Sequence, residues 1–128
     1  MLDVAFALLA LAASLGAFLA LLREGDVLRA VVKALGPYGR GLGLIHGSLG
    51  GIGLLVLLAA LYVGAIHPAA GVVGFDAIAA WLIGIAFMFG LSILMTVRAA
   101  RNPSTLIAIH AALAISGVVV LMALVVLD

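Results

Sequence analysis

The chain carries three histidines and no cysteine in 128 residues, and two of the histidines are set alike. His46 lies in GLGLIHGSLGGIGLLVLLAAL and His110 in STLIAIHAALAISGVVVLMAL. Each stands near the start of an apolar run, and each is followed seven residues on by a glycine, Gly53 or Gly117. Imidazole nitrogens ligate transition metals, relay protons and bond polar neighbours. The absence of cysteine excludes thiolate metal sites and disulfides. The interiors of the apolar runs hold no carboxylate or lysine, so the acid–base machinery of an independent enzyme is not expected. What remains is a pair of imidazoles in an apolar setting, where an ionisable ring needs a partner and tends to mark a pathway or a cofactor.

The elements that position this pair are set by composition. Hydrophobic residues make up 68% of the chain and charged residues 9%, with a mean hydropathy of +1.50. A soluble domain has roughly a quarter charged residues, and about 20 apolar residues in a row cover the hydrocarbon core of a bilayer. Four such stretches are present, at about 2–22, 42–66, 77–97 and 104–127. They use most of the chain, which predicts one integral membrane domain over residues 1–128 and no nucleic-acid surface. The first stretch begins Met1-Leu2-Asp3 without a basic leader and is read as a retained helix. The expected fold is all-α: an up-down-up-down bundle of four transmembrane helices, built from two tandem helical hairpins.

Charge placement orients it. All six Lys/Arg fall after the first stretch (Arg23, Arg29, Lys33, Arg40) or after the third (Arg98, Arg101). Basic loops face the cytoplasm, so both termini are expected outside, in a membrane such as the bacterial inner membrane. In the first basic loop Val27, Leu28, Val31, Val32 and Leu35 recur at helical spacing around Arg29 and Lys33, predicting a short interfacial helix over about 27–35 that rests on the lipid headgroups. Asp26 is its expected cap and Gly36-Pro37 its stop. In the second basic loop Asn102 and Pro103 read as a helix cap and first position, and Asp76 reads as a cap for the third stretch.

Aligning His46 with His110 also matches Leu49 with Leu113, Gly53 with Gly117, Leu57 with Leu121 and Ala59 with Ala123, while Gly16 and Gly90 stand alike near the ends of the first and third stretches. Two parallel copies of a hairpin imply a pseudo-twofold axis along the membrane normal. At 100° per residue, His46, Gly50, Gly53 and Leu57 share a face within about 40°, as do His110, Ala114, Gly117 and Leu121. Both histidines come seven residues after a helix-start signal, Gly39 or Pro103, which sets both rings roughly 10 Å in from the same side.

The second and fourth helices of such a bundle are diagonal, with axes about 11–14 Å apart if neighbours lie 8–10 Å apart. That separation is expected to hold the imidazoles out of contact with a metal between them, above a slot for something flat left by Gly50, Gly53, Ala114 and Gly117. The competing expectation is that each ring bonds a serine while the glycines serve close helix packing. Haem b suits the first expectation: its iron takes axial histidine, its plate is apolar, and its propionates need cations such as Arg40, Arg98 and Arg101 at the surface. Positive-inside topology by itself also accounts for these arginines. Ser92 lies at a depth where it could accept a ring N–H.

With His46, His110 and their glycines in view, the arrangement resembles small four-helix membrane b-type cytochromes, in which histidines on facing helices clamp a haem edge-on to the membrane. Many of these carry four histidine ligands and two haems. Here the outer half offers only His67, about 30 Å from His46 by helical rise, so the resemblance implies one haem, bound near the cytoplasmic face by His46 and His110. It implies an electron-transfer subunit passing single electrons between a quinol or soluble donor and a larger complex. Two other expectations stand beside it: an accessory structural subunit, in a larger membrane complex or as a homodimer, and a proton or metal transporter.

Overall fold

The computed structural model describes residues 1–24, 37–64, 73–98 and 103–127. The expected interfacial helix at 27–35 lies outside the described residues, as do Asp26, His67, Arg101 and Asn102. Four helices follow in chain order: α1 (Leu2–Glu24), α2 (Pro37–Tyr62), α3 (Phe75–Arg98) and α4 (Ser104–Leu127). All four are long and apolar enough to cross a membrane. The chain is an integral, multi-pass four-helix bundle.

Helix boundaries follow local chemistry. Proline opens α2 at Pro37, where its missing N–H leaves nothing unsatisfied. The run expected to reach residue 66 stops at Tyr62: Val63 N–H donates to the Ala59 carbonyl at 3.0 Å, Gly64 N–H to the Leu61 carbonyl at 3.2 Å, and Gly64 turns left-handed at φ 62°. A glycine in that conformation ends a helix without the Cβ clash another residue would suffer. Asp76 is not the residue before α3 but lies inside its first turn, where its carboxylate favours the positive end of the helix dipole; Gly74, at φ 89°, supplies the turn. In α4 the Pro103 carbonyl accepts the first helical bond, from Ile107 N–H at 2.9 Å.

Contacts are most extensive within each hairpin, α1 with α2 and α3 with α4. The thinner α1–α4 and α2–α3 seams close the ring and leave α2 and α4 diagonal. The core is duplicated like the sequence. Ala5, Leu9 and Leu57 from the first hairpin meet Ala79, Ile83, Leu121 and Leu124 from the second, and all are buried. Large apolar side chains such as Leu55, Trp81, Met88 and Val126 are exposed around the outside, as expected where lipid replaces water as solvent.

Lipid is as apolar as leucine, so burial alone does not drive these helices together. Close packing does, through small residues at the interfaces. A Cβ added to Gly53 would lie 2.8 Å from Leu9 Cγ; one added to Gly117 would lie 2.6 Å from Ile83 Cγ1 and 3.2 Å from the Ile83 backbone nitrogen. We therefore expect Gly117→Ala and Gly53→Ala each to destabilise the bundle by about 1–3 kcal/mol through overpacking. Gly84→Ala, whose added methyl meets nothing within 4 Å among the described residues, is expected to cost nothing. Titration with a denaturing detergent in mixed micelles, followed by circular dichroism, measures all three.

Candidate functional site

The two rings share one site. His46 on α2 and His110 on α4 stand with ring centroids 5.9 Å apart and planes at 82°, an edge-to-face pair. The rings form an edge pair instead of standing out of contact as expected. Each imidazole reaches from its own helix toward the bundle axis, so the diagonal distance is spanned from both sides.

Each ring is held by the partner helix of its own hairpin. His46 Nδ1 donates to the Ala12 carbonyl on α1 at 2.8 Å, and His110 Nδ1 to the Ala86 carbonyl on α3 at 2.7 Å. A carbonyl oxygen only accepts, so Nδ1 bears a proton in both rings; in a neutral imidazole of that tautomer the lone pair is on Nε2. Neither Nε2 has a hydrogen-bond partner among the described residues.

These partners correct both readings that involve serine. Ser92 is not a histidine partner: its hydroxyl donates to the Met88 carbonyl at 3.0 Å within α3. Ser14 bonds Ala10 at 2.9 Å and Thr96 bonds Ser92 at 2.8 Å in the same local way. Short hydroxyl side chains find the carbonyl four residues back more readily than a ring on another helix.

The stripe below the rings is also placed differently from expectation. Gly50 faces α1, where an added Cβ would lie 4.0 Å from Ala12 Cβ, and Ala114 lines the space beside the rings. Gly53 and Gly117 do not border an open slot. Leu9 and Ile83 occupy the room they leave, and Leu57 and Leu121 below them are fully buried core. What stays open is a cavity of about 50 Å³ bounded by both histidines, Ala12, Ala13, Ala86 and Phe87. Apart from the rings its walls are apolar. Pockets for drug-sized ligands run from about 300 Å³ upward. Arg40 lies in the first turn of α2 and Arg98 is the last residue of α3, so their backbones sit at the end of the bundle nearest the rings.

Two residues matter more here than the sequence pattern indicates. Gly16 on α1 and Gly90 on α3 lie flush against the imidazoles: an added Cβ would come 2.7 Å from His46 Cε1 and 3.2 Å from His110 Cε1. The signal that points to them is Ala-x-x-x-Gly near the end of each odd-numbered helix, Ala12–Gly16 and Ala86–Gly90; Ala80–Gly84 in α3 has the same spacing and meets no ring.

Chemically the arrangement offers two imidazole donors and, among the described residues, no third. No group of three or more His, Cys, Asp or Glu able to hold a metal occurs among the described residues. A four-coordinate zinc site built from protein ligands alone is therefore not formed by them. Two imidazoles on one metal, each at about 2.0–2.1 Å, place their centroids roughly 6 Å apart, close to the spacing seen here. No protein family, curated protein or solved structure matches this chain.

Each ring–carbonyl bond joins two helices, and such bonds in membranes contribute about 0.6 kcal/mol on average, up to about 1.7. His46→Ala and His110→Ala are each expected to lose stability in that range in cofactor-free protein, while Ser92→Ala is expected to change nothing. The same detergent titration reads the difference.

Proposed function

We propose that this chain is a membrane electron-transfer subunit that holds one b-type haem, with His46 and His110 as its axial ligands. The observation that carries the proposal is the symmetric pair of imidazoles. Both are fixed by a backbone carbonyl at Nδ1, neither Nε2 has a hydrogen-bond partner among the described residues, and their spacing suits one metal between them. A metal-bound histidine characteristically donates its other N–H to a carbonyl or carboxylate, which sets the tautomer and raises ligand basicity. Bound haem would supply a one-electron Fe(III)/Fe(II) couple, tuned by ligation, burial and nearby charge.

The donor set and the apolar walls fit this group; the cavity as it stands is too small for the plate. Extra room would come from the seams between hairpins and from the basic-loop end of α2. There a Cβ added to Gly41, Gly43 or Gly47 meets nothing within 4 Å among the described residues. Arg40, Arg98 and Arg101 are the proposed partners of the propionates, with the basic loops cytoplasmic and both termini outside. A quinol or a soluble carrier is the proposed donor, and a larger membrane complex the acceptor.

One observation favours a second reading, an accessory structural subunit. Gly53 and Gly117 are filled by Leu9 and Ile83, as in a bundle built for packing alone. The visible absorption spectrum separates the two. Protein produced with ample haem and purified in mild detergent is expected to show a Soret band that sharpens on reduction, lost in the His46→Ala, His110→Ala double variant while helicity persists. Folded wild-type protein that is colourless overturns the haem proposal and leaves the structural one. Topology is checked independently, since the chain has no cysteine: a single cysteine at Ala70 is expected to react with an impermeant maleimide in intact cells and one at Ala30 to be protected. The reverse pattern overturns the orientation.

A further inference from the structure

We infer that Gly16 and Gly90 are positioning residues for the two imidazoles: each uncovers the carbonyl one turn before it, so that a ring from the neighbouring helix can bond it. Within α1 the Ala12 carbonyl accepts the backbone N–H of residue 16, and within α3 the Ala86 carbonyl accepts that of residue 90. A carbonyl has a second lone pair. Side chains on a helix lean back toward its N-terminus over the preceding turn, so the residue at i+4 ordinarily covers the carbonyl at i. Glycine leaves that flank bare.

The imidazoles use it. His46 Cε1, Nδ1 and Nε2 lie 2.7, 3.2 and 3.5 Å from where a Gly16 Cβ would stand; His110 Cε1 and Nδ1 lie 3.2 and 3.4 Å from the corresponding point on Gly90. The atoms nearest each glycine therefore include the nitrogen that makes the carbonyl bond. A methyl group at either position must push its ring aside and lengthen that bond. The tighter approach at Gly16 makes its substitution the more severe. Ala-x-x-x-Gly on one helix facing His on the next is thus a single device used twice. It fixes the proton on Nδ1 and leaves Nε2 outside the carbonyl bond.

The role in haem ligation rests on the function proposed above; the tautomer does not, so the two can fail separately. In haem-free protein labelled with ¹⁵N-histidine and reconstituted in nanodiscs, His46 and His110 are expected to carry the proton on Nδ1. Gly16→Ala is expected to abolish that signature for His46 alone, and Gly90→Ala to weaken it for His110 alone. Gly53→Ala, which crowds Leu9 and not a ring, and Gly47→Ala, which crowds nothing described, are expected to leave both signatures intact. In the haem-loaded protein the two ring-side variants are expected to shift the midpoint potential and convert part of the low-spin spectrum to high spin, with Gly16→Ala the larger. Wild-type rings protonated at Nε2, or ring signals unchanged in both Gly16→Ala and Gly90→Ala, overturn the inference. Should Gly16→Ala not fold, the milder Gly90→Ala decides. Colourless wild-type protein with Nδ1-protonated rings overturns the haem reading and leaves this one standing.

Discussion

Two hydrogen bonds from imidazole to helix backbone, His46 to Ala12 and His110 to Ala86, organise the ring end of this bundle. In a bilayer no water is at hand to satisfy a polar ring, and an unpartnered one costs several kcal/mol. The nearest acceptors in hydrocarbon are helix carbonyls, which are already engaged by their own helices but keep a second lone pair. Reaching one requires the helices to approach closely with no side chain in between. That requirement selects glycine at positions 16 and 90, holds α1 against α2 and α3 against α4 at the level of the rings, and commits one nitrogen of each histidine. The other nitrogen has no hydrogen-bond partner among the described residues.

Duplication turns one such device into a pair. A histidine stapled inside a single hairpin would be a structural detail; two hairpins related by a pseudo-twofold axis bring both rings to that axis, 5.9 Å apart. The symmetry extends through the packing: Leu9 into Gly53 and Ile83 into Gly117, with Ala5 opposite Ala79 in the core and Leu57 opposite Leu121. It is broken beside the cavity. Phe87 stands on α3 where α1 has Ala13, and its ring fits against the bare face of Gly51, 3.3 Å from where a Cβ would be, where α4 has Ile115. The two seams between hairpins are consequently unlike: the α2–α3 seam has an aromatic ring over glycine, and the equivalent positions on α1 and α4 are Ala13 and an exposed Ile115.

The bundle is also graded along its length. The half remote from the rings holds the fully buried leucines, while the ring level keeps a cavity and, beyond it on α2, a Cβ added to Gly41 or Gly43 meets nothing within 4 Å among the described residues. The hairpins share less surface with each other than their own helices do.

The linear order of residues by itself determined that this is a four-span membrane bundle, where the spans lie, and that His46 and His110 are equivalent. Apolar length and the repeat are local or periodic properties that need no folding to be read. It also pairs Gly16 with Gly90, though at an offset of 74 residues against 64 for the histidines, since the first basic loop is the longer. Only the tertiary structure decided what those glycines touch. Whether Gly53 borders a slot or receives Leu9, whether a ring bonds Ser92 or a carbonyl, and whether two diagonal imidazoles meet all depend on rotations and separations of whole helices. A few tens of degrees or an ångström decide each, and a pattern of residue types along one strand of sequence carries no such distances.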